Sequence, residues 1–286
     1  MSATTVPTFL ESFRTRFHPL WRIRRIHWLH AILTRLDFPV WVKAPAIGMK
    51  IRVYWFRDLP WLFDSVPKEP GMLDVVEKIC RTFQPRVFWD VGANLGWYSW
   101  LVHARTRLAR AVAIEPLPAN VRLLRETIAR NRLEHFKVIQ TAVADRPGKV
   151  DFTIDTRSGA TSQLTELYAS SPDTAIAHTY GLEARMQVEC TTLDELLRAG
   201  ETMPDLMKLD VEEAEHLVFR GASALLLKQQ TILVFECHRR EALVILREHG
   251  YELYAIDQLN NFLALPPRLA DQAREITVTL TPVEHV

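Results

Sequence analysis

The chain of 286 residues and 33.0 kDa, 48% hydrophobic and 24% charged, can bury one sizeable core plus an appended segment, and nothing in its composition points to general disorder. A formal net charge of +1, from 35 basic and 34 acidic side chains, argues against a polyelectrolyte that holds nucleic acid by counterion release. Three cysteines, Cys80, Cys190 and Cys237, are far apart and odd in number, which argues against a disulfide framework or paired-cysteine metal motif and fits a reducing, cytoplasmic setting; no signal-peptide pattern opens the chain, and no stretch approaches the roughly 18 apolar residues of a membrane span.

Residues 1–71 read as a basic, aromatic-rich N-terminal extension: residues 1–60 hold ten Lys or Arg against three acids, so the remainder is net acidic. Residues 8–36 predict two helical pieces separated at Pro19, with Phe9, Phe13 and Phe17 on one face and Ile26, Leu29, Leu33 and Leu36 on another. Residues 37–71 are rich in proline and aromatics and show one strand-like run, Ile51–Phe56. The basic and tryptophan-bearing stretch Trp21–Trp28 fits a helical cap, a homodimer contact, or peripheral docking on a membrane surface; nucleic acid is not an expected partner.

From Met72 the pattern is regular, and residues 72–286 read as one domain. A helix over 72–83 precedes a strand, Val87–Val91, that runs into a glycine turn; a helix Trp97–Arg107, a strand Ala111–Glu115, a helix Pro118–Asn131 and a third strand Lys137–Val143 follow. Residues 148–192 hold short strand candidates, Lys149–Ile154 and Gln187–Cys190, around a polar loop, Arg157–Glu166. The alternation resumes with a strand Leu206–Val211, a helix from about Glu213, a strand Thr231–Glu236 and a helix Arg240–His249. Alternating strands and helices make a parallel sheet whose ligands bind at the carboxyl ends of the strands. Tyr251–Ile256 and Asn261–Leu265 are too close in sequence for a parallel crossover, so they form an antiparallel hairpin. The fold class is therefore α/β, a Rossmann-like class I methyltransferase sheet, mostly parallel with a C-terminal antiparallel hairpin.

The cofactor signal is Asp90-Val-Gly92-Ala93-Asn94-Leu-Gly96 between a strand and a helix, where glycines let the backbone turn sharply and approach a ligand. Glu115 ends the next strand, placed to accept both ribose hydroxyls of an adenosine cofactor, with Pro116 after it. A dinucleotide fingerprint starting at Gly92 needs glycines where Asn94 and Trp97 stand, so S-adenosyl-L-methionine (SAM), which has no phosphate, is favoured over NAD. Ala142 and Val143 line the adenine by position, and Ser162 in the polar loop is placed to reach the SAM carboxylate.

Four ordered motifs, Phe88-Trp-Asp-Val-Gly-Ala-Asn-Leu-Gly-Trp-Tyr-Ser99, Glu115-Pro-Leu-Pro-Ala-Asn120, Thr192-Leu-Asp-Glu-Leu196 and Asp205-Leu-Met-Lys-Leu-Asp-Val-Glu-Glu-Ala-Glu215, closely resemble the FkbM-type methyltransferases over roughly residues 72–265. The resemblance implies SAM-dependent O-methylation of a hydroxyl on a secondary metabolite, sugar or glycolipid. One position departs from the family: Glu213 stands where glycine is usual, which leaves a catalytically impaired SAM- or nucleoside-binding protein as the alternative.

Methyl transfer needs an in-line nucleophile and a group that removes its proton. Lys208, Asp210 and Glu212 alternate with apolar residues and so share one face of the strand Leu206–Val211. One of the three orients or deprotonates the acceptor, unless Lys208 is only the buried half of a structural ion pair with Asp210 or Glu236. A competing mechanism uses a divalent cation held by Asp210, Glu236 and His238; such clusters on adjacent strands arise readily by chance, so no metal is expected.

Overall fold

The computed structural model describes residues 27–44, 47–58, 69–155, 163–164, 183–258 and 260–284. The expected helical piece before Pro19, the loop Arg157–Glu166 apart from 163–164, and Ser162 lie outside them. No helix among the described residues is long and apolar enough to cross a membrane.

The chain opens with α1 (His27–Arg35) and a hairpin of β1 (Pro39–Ala44) and β2 (Met49–Tyr54), paired antiparallel from Pro39↔Tyr54 to Ala44↔Met49. Because side chains alternate along each strand, Ile51, Val53 and Ala44 turn into the core while Trp41, Lys43, Lys50 and Arg52 form the outer face. The inner face joins the cluster that holds Met72, Val76 and Leu124, so this hairpin is continuous with the main hydrophobic core. Helix α2 (Pro70–Phe83) starts on a proline, buries Met72, Val75, Val76, Ile79 and Cys80 along one stripe, and ends at Gln84 in the left-handed conformation.

Strand β3 (Val87–Val91) is buried at every position, as a central parallel strand must be. It leads through α3 (Trp97–Arg105), β4 (Arg110–Ile114), α4 (Pro118–Asn131) and β5 (Phe136–Ile139), stepping outward in one direction. The chain then returns to the other side of β3 with β10 (Leu206–Leu209) and β11 (Ile232–Glu236). The main sheet runs β14-β12-β13-β11-β10-β3-β4-β5, in which β12 (Glu252–Ala255) and β13 (Asn261–Leu265) form the antiparallel hairpin expected from the sequence and β14 (Thr281–Pro282) extends the edge. The strand order reverses between β3 and β10, and a crevice at the carboxyl ends of those strands is where such a sheet binds ligands.

Three elements differ from expectation. The third strand divides: β5 stays in the main sheet, whereas β6 (Ala142–Val143) leaves it and pairs with β9 (Glu183–Thr191) in a second sheet that also holds β7 (Gly148–Asp155) and β8 (Gln163–Leu164). The turning point is Thr141, whose hydroxyl donates to the Glu189 carbonyl at 3.0 Å, a partner supplied only by the folded β9. The short strand candidates at 149–154 and 187–190 are likewise parts of one long antiparallel ladder, β7 on β9. Strand β10 ends at Leu209 instead of Val211, because Glu212 and Glu213 take φ +53 and +72, a left-handed turn that no strand can contain. The following helix accordingly starts late, as α6 (Glu215–Arg220), and Gly221 separates it from α7 (Ser223–Leu227). Helices α5 (Leu193–Arg198), α8 (Arg240–Glu248) and α9 (Arg274–Thr277), with a single 3-10 turn at Pro267–Leu269, complete the described fold.

Candidate functional site

The turn after β3 is built by Gly92 (φ +76), Asn94 (φ +49) and Gly96 (φ +76), with the Gly92 and Ala93 amides both donating to the Ile114 carbonyl at 3.0 Å. A side chain at Gly92 would place its Cβ 1.8 Å from the Asp210 carbonyl oxygen, and one at Gly96 would come within 2.7 Å of Leu124 and Trp100. Glycine is thus required at Gly92 first by the loop after β10, which presses against this turn, and at Gly96 by helix packing.

Glu115 is 4% exposed and organises the loop around it. Its Oε2 accepts from the Asn94 amide at 2.8 Å; its Oε1 accepts from the Leu117 amide at 3.0 Å and from Asn120 Nδ2 at 3.2 Å. Burial raises its pKa, against the hydrogen bonds from Leu117, Asn94 and Asn120 that favour the carboxylate. Asn120 also donates to Asn94 Oδ1 at 3.2 Å, while its own Oδ1 is buried without a hydrogen-bond partner among the described residues.

These groups border a cleft with about 620 Å³ of empty space, part of it open to solvent. Gly92, Asn94, Glu115, Pro116, Ala142 and Val143 all line it, so six of the expected cofactor residues come together. Asp210 and Glu212 also line the cleft, Asp210 with its backbone against the Gly92 turn. Ala93 and Gly96 do not line the cleft but hold its turn. Asp90 lies beneath, with Oδ2 accepting from the Ser99 amide at 3.0 Å and hydroxyl at 2.7 Å. Sequence reasoning missed Asn120, Thr141, Phe152 and Leu164 in the lining. Asn120 alone carried a signal, a polar residue on the buried side of α4; the others depend on the second sheet.

Lys208, 5% exposed on β10, places Nζ 2.8 Å from Asp210 Oδ2 and 5.0 Å from the centre of the Tyr98 ring. Burial works to lower its pKa, but the carboxylates of Asp210 and Asp90 outweigh it and hold the ammonium above the usual lysine range. The Tyr98 hydroxyl donates to Glu69 Oε2 at 2.7 Å, and burial raises its pKa. Burial, reinforced by Asp210 and Glu236, pushes Glu212 well above the ordinary carboxylate range. Glu236 is pushed up to about 7 and Glu215 to about 8, burial again being the largest cause. The three residues expected on one strand face therefore separate: Lys208 and Asp210 form a pair, and Glu212 sits apart on the turn. His238 Nε2 lies 3.6 Å from Glu236 Oε1, but among the described residues no three His, Cys, Asp or Glu side chains are arranged to hold a metal, so the set Asp210, Glu236 and His238 does not form one.

The strand order, the antiparallel terminal hairpin and the cleft at the switch point define a class I methyltransferase fold. The model of the methyltransferase FkbM domain matches residues 90–253, more than half of the chain. The chain belongs to the FkbM methyltransferase family. It is 27% identical over 202 residues to the AMB antimetabolite synthetase AmbE of Pseudomonas aeruginosa, covering 58% of this chain and 10% of that protein; the chain thus spans about a tenth of this curated relative. Among solved structures, the methyltransferase FkbM of Methylobacillus flagellatus aligns at 15% identity and TM-score 0.43 over 63% of this chain and 43% of its own. The METTL16 methyltransferase domain aligns at 12% identity and TM-score 0.46 over 87% and 80%.

Proposed function

We propose that the protein transfers a methyl group from SAM to a hydroxyl of a small molecule, sugar or glycolipid. The observation that carries this reading is the ion pair between Lys208 and Asp210, which fixes Asp210 in the lining of the same cleft that Glu115 borders. The residues present fit SAM: Glu115 and the unpartnered Asn120 Oδ1 offer acceptors to the donors of an adenosine, and Ala142 and Val143 offer an apolar wall. Asp90 would support the methionine end from below. When bound, SAM supplies an electrophilic methyl group on a sulfonium.

Asp210 is the group that takes the hydroxyl proton. Lys208 cannot, because its ammonium is held charged; its part is to pin Asp210 Oδ2 and leave Oδ1 for the acceptor. Glu212, pushed toward its protonated form, is a hydrogen-bond donor to the acceptor and not a base. The left-handed residues Glu212 and Glu213 beside this centre favour one alternative, a SAM-binding protein without turnover.

Calorimetry with SAM, S-adenosylhomocysteine and NAD separates these readings, followed by transfer of labelled methyl to a panel of hydroxyl acceptors. SAM and S-adenosylhomocysteine bind and Glu115→Ala loses at least about tenfold in affinity, as expected for a hydrogen bond to a charged group. Turnover lost in Asp210→Asn with SAM affinity kept supports the assignment; NAD binding without SAM binding overturns it.

A further inference from the structure

We infer that the outer face of the β1–β2 hairpin, together with the exposed side of α1, is a docking surface for an anionic membrane. The observation is independent of the proposed reaction. Within ten residues the chain exposes Ile32 (46%), Leu36 (62%), Phe38 (56%) and Trp41 (39%), a density of uncovered large apolar side chains found nowhere else among the described residues. Ile32 lies in α1 and Leu36 one residue past its end, where the Leu36 amide still donates to the Ile32 carbonyl at 3.1 Å and keeps the two on one side. Phe38 leads into the hairpin and lies 6.0 Å from the Trp55 ring.

Cations surround this surface. Lys43 faces outward beside its cross-strand partner Lys50, and the Trp41 ring is approached by the guanidinium of Arg130 at 5.8 Å and by that of Arg52 at 5.1 Å, the latter paired with Glu126 of α4 at 2.9 Å. The only acids within residues 27–58 turn inward. Asp37 accepts from the amides of Phe56 and Arg57 at 2.9 and 3.0 Å, and Asp58, 2% exposed, pairs with Arg57.

This chemistry selects its partner. Two copies of the face would bring like charges together. A nucleic acid would use the cations and stack on Trp41 but gives Ile32 and Leu36 nothing to enter. An anionic bilayer satisfies both: phosphates for Lys43, Lys50 and Arg130, an interfacial seat for the tryptophan, and acyl chains for the aliphatic residues. The cleft is close to this surface, since Asn120 in its lining and Arg130 beside Trp41 lie on the same helix, about 15 Å apart along its axis.

The test is flotation of the full chain with vesicles of phosphatidylcholine alone or with one third phosphatidylglycerol, at low and high salt. Two variants accompany it, Lys43→Ser/Lys50→Ser/Arg130→Ser and Ile32→Ser/Leu36→Ser, each checked for native unfolding and SAM affinity. The expected result is salt-sensitive binding to the anionic vesicles only, weakened on the order of 100-fold by the charge variant and about tenfold or more by the apolar variant. Equal binding to both vesicles, no binding, or variants that float like the wild type overturn the inference. So does self-association or RNA binding that the same substitutions abolish while vesicle binding is absent.

Discussion

Glu213 holds φ +72, a conformation that favours glycine, and replacing it with glycine measures what that conformation costs. A residue with a Cβ pays about 1–2 kcal/mol in the left-handed region. Glycine returns about 0.5–1 kcal/mol of that through the greater freedom of its unfolded chain. The Glu213 carboxylate also lies 3.6 Å from an Arg239 guanidinium, and such a partly exposed pair is worth about 0.5 kcal/mol or less. Glu213→Gly should therefore stabilise the fold slightly. Glu213→Ala loses the ion pair but keeps the Cβ, so the glycine variant should exceed the alanine variant by about 1 kcal/mol, or about 2–3 °C in Tm. Urea unfolding of the three proteins, with equal denaturant slopes, reads both differences directly. An alanine variant as stable as the glycine variant would refute the reasoning, because the turn would then carry no left-handed strain.

Three further outcomes follow from the site. Gly92→Ala drives a methyl group into the Asp210 carbonyl, and thermal unfolding should show a loss of more than about 2 kcal/mol together with weakened SAM binding. Lys208→Met leaves Asp90 and Asp210 without their cation; denaturation at neutral pH should show a loss of about 3–5 kcal/mol that shrinks in acid, where protonated carboxyls no longer need a partner. Glu215, raised to about 8, keeps a proton in the folded state that the unfolded chain releases above its ordinary value of 4.5, so its contribution to stability is full below 4.5 and falls as pH rises toward 8. Glu215→Gln should accordingly flatten the decline in Tm between pH 5 and 8, and an unchanged slope would show that this carboxyl ionises normally.

The parts of the fold legible in the sequence are those whose cause is local. The run Val87–Val91 followed by glycines, the acid Glu115 directly after the next strand, and the short link before Asn261 each carry their structural reason within a few residues. Those that escaped depend on distant partners. Thr141 bends the chain toward a carbonyl 48 residues further on, and the hairpin Pro39–Tyr54 is defined by a core face that only α2 and α4 complete. Within the site, alternation placed Lys208, Asp210 and Glu212 on one face, but alternation holds only while a strand lasts, and this one ends at Leu209. The pairing of Lys208 with Asp210 was among the sequence alternatives; the orphaned acceptor of Asn120 was not, since it appears only once Glu115 and Asn94 have taken its amide protons.

The contact between Gly92 and the Asp210 carbonyl has an evolutionary side. The turn that would meet the cofactor and the loop that would meet the acceptor touch backbone to backbone, with no side chain between them to act as a cushion. New acceptor preferences must then arise in side chains beyond residue 211 or in the second sheet, because any change that lifts the main chain at Asp210 also displaces the floor under the cofactor. Grafting that loop between relatives should succeed only when both turns are moved as one piece.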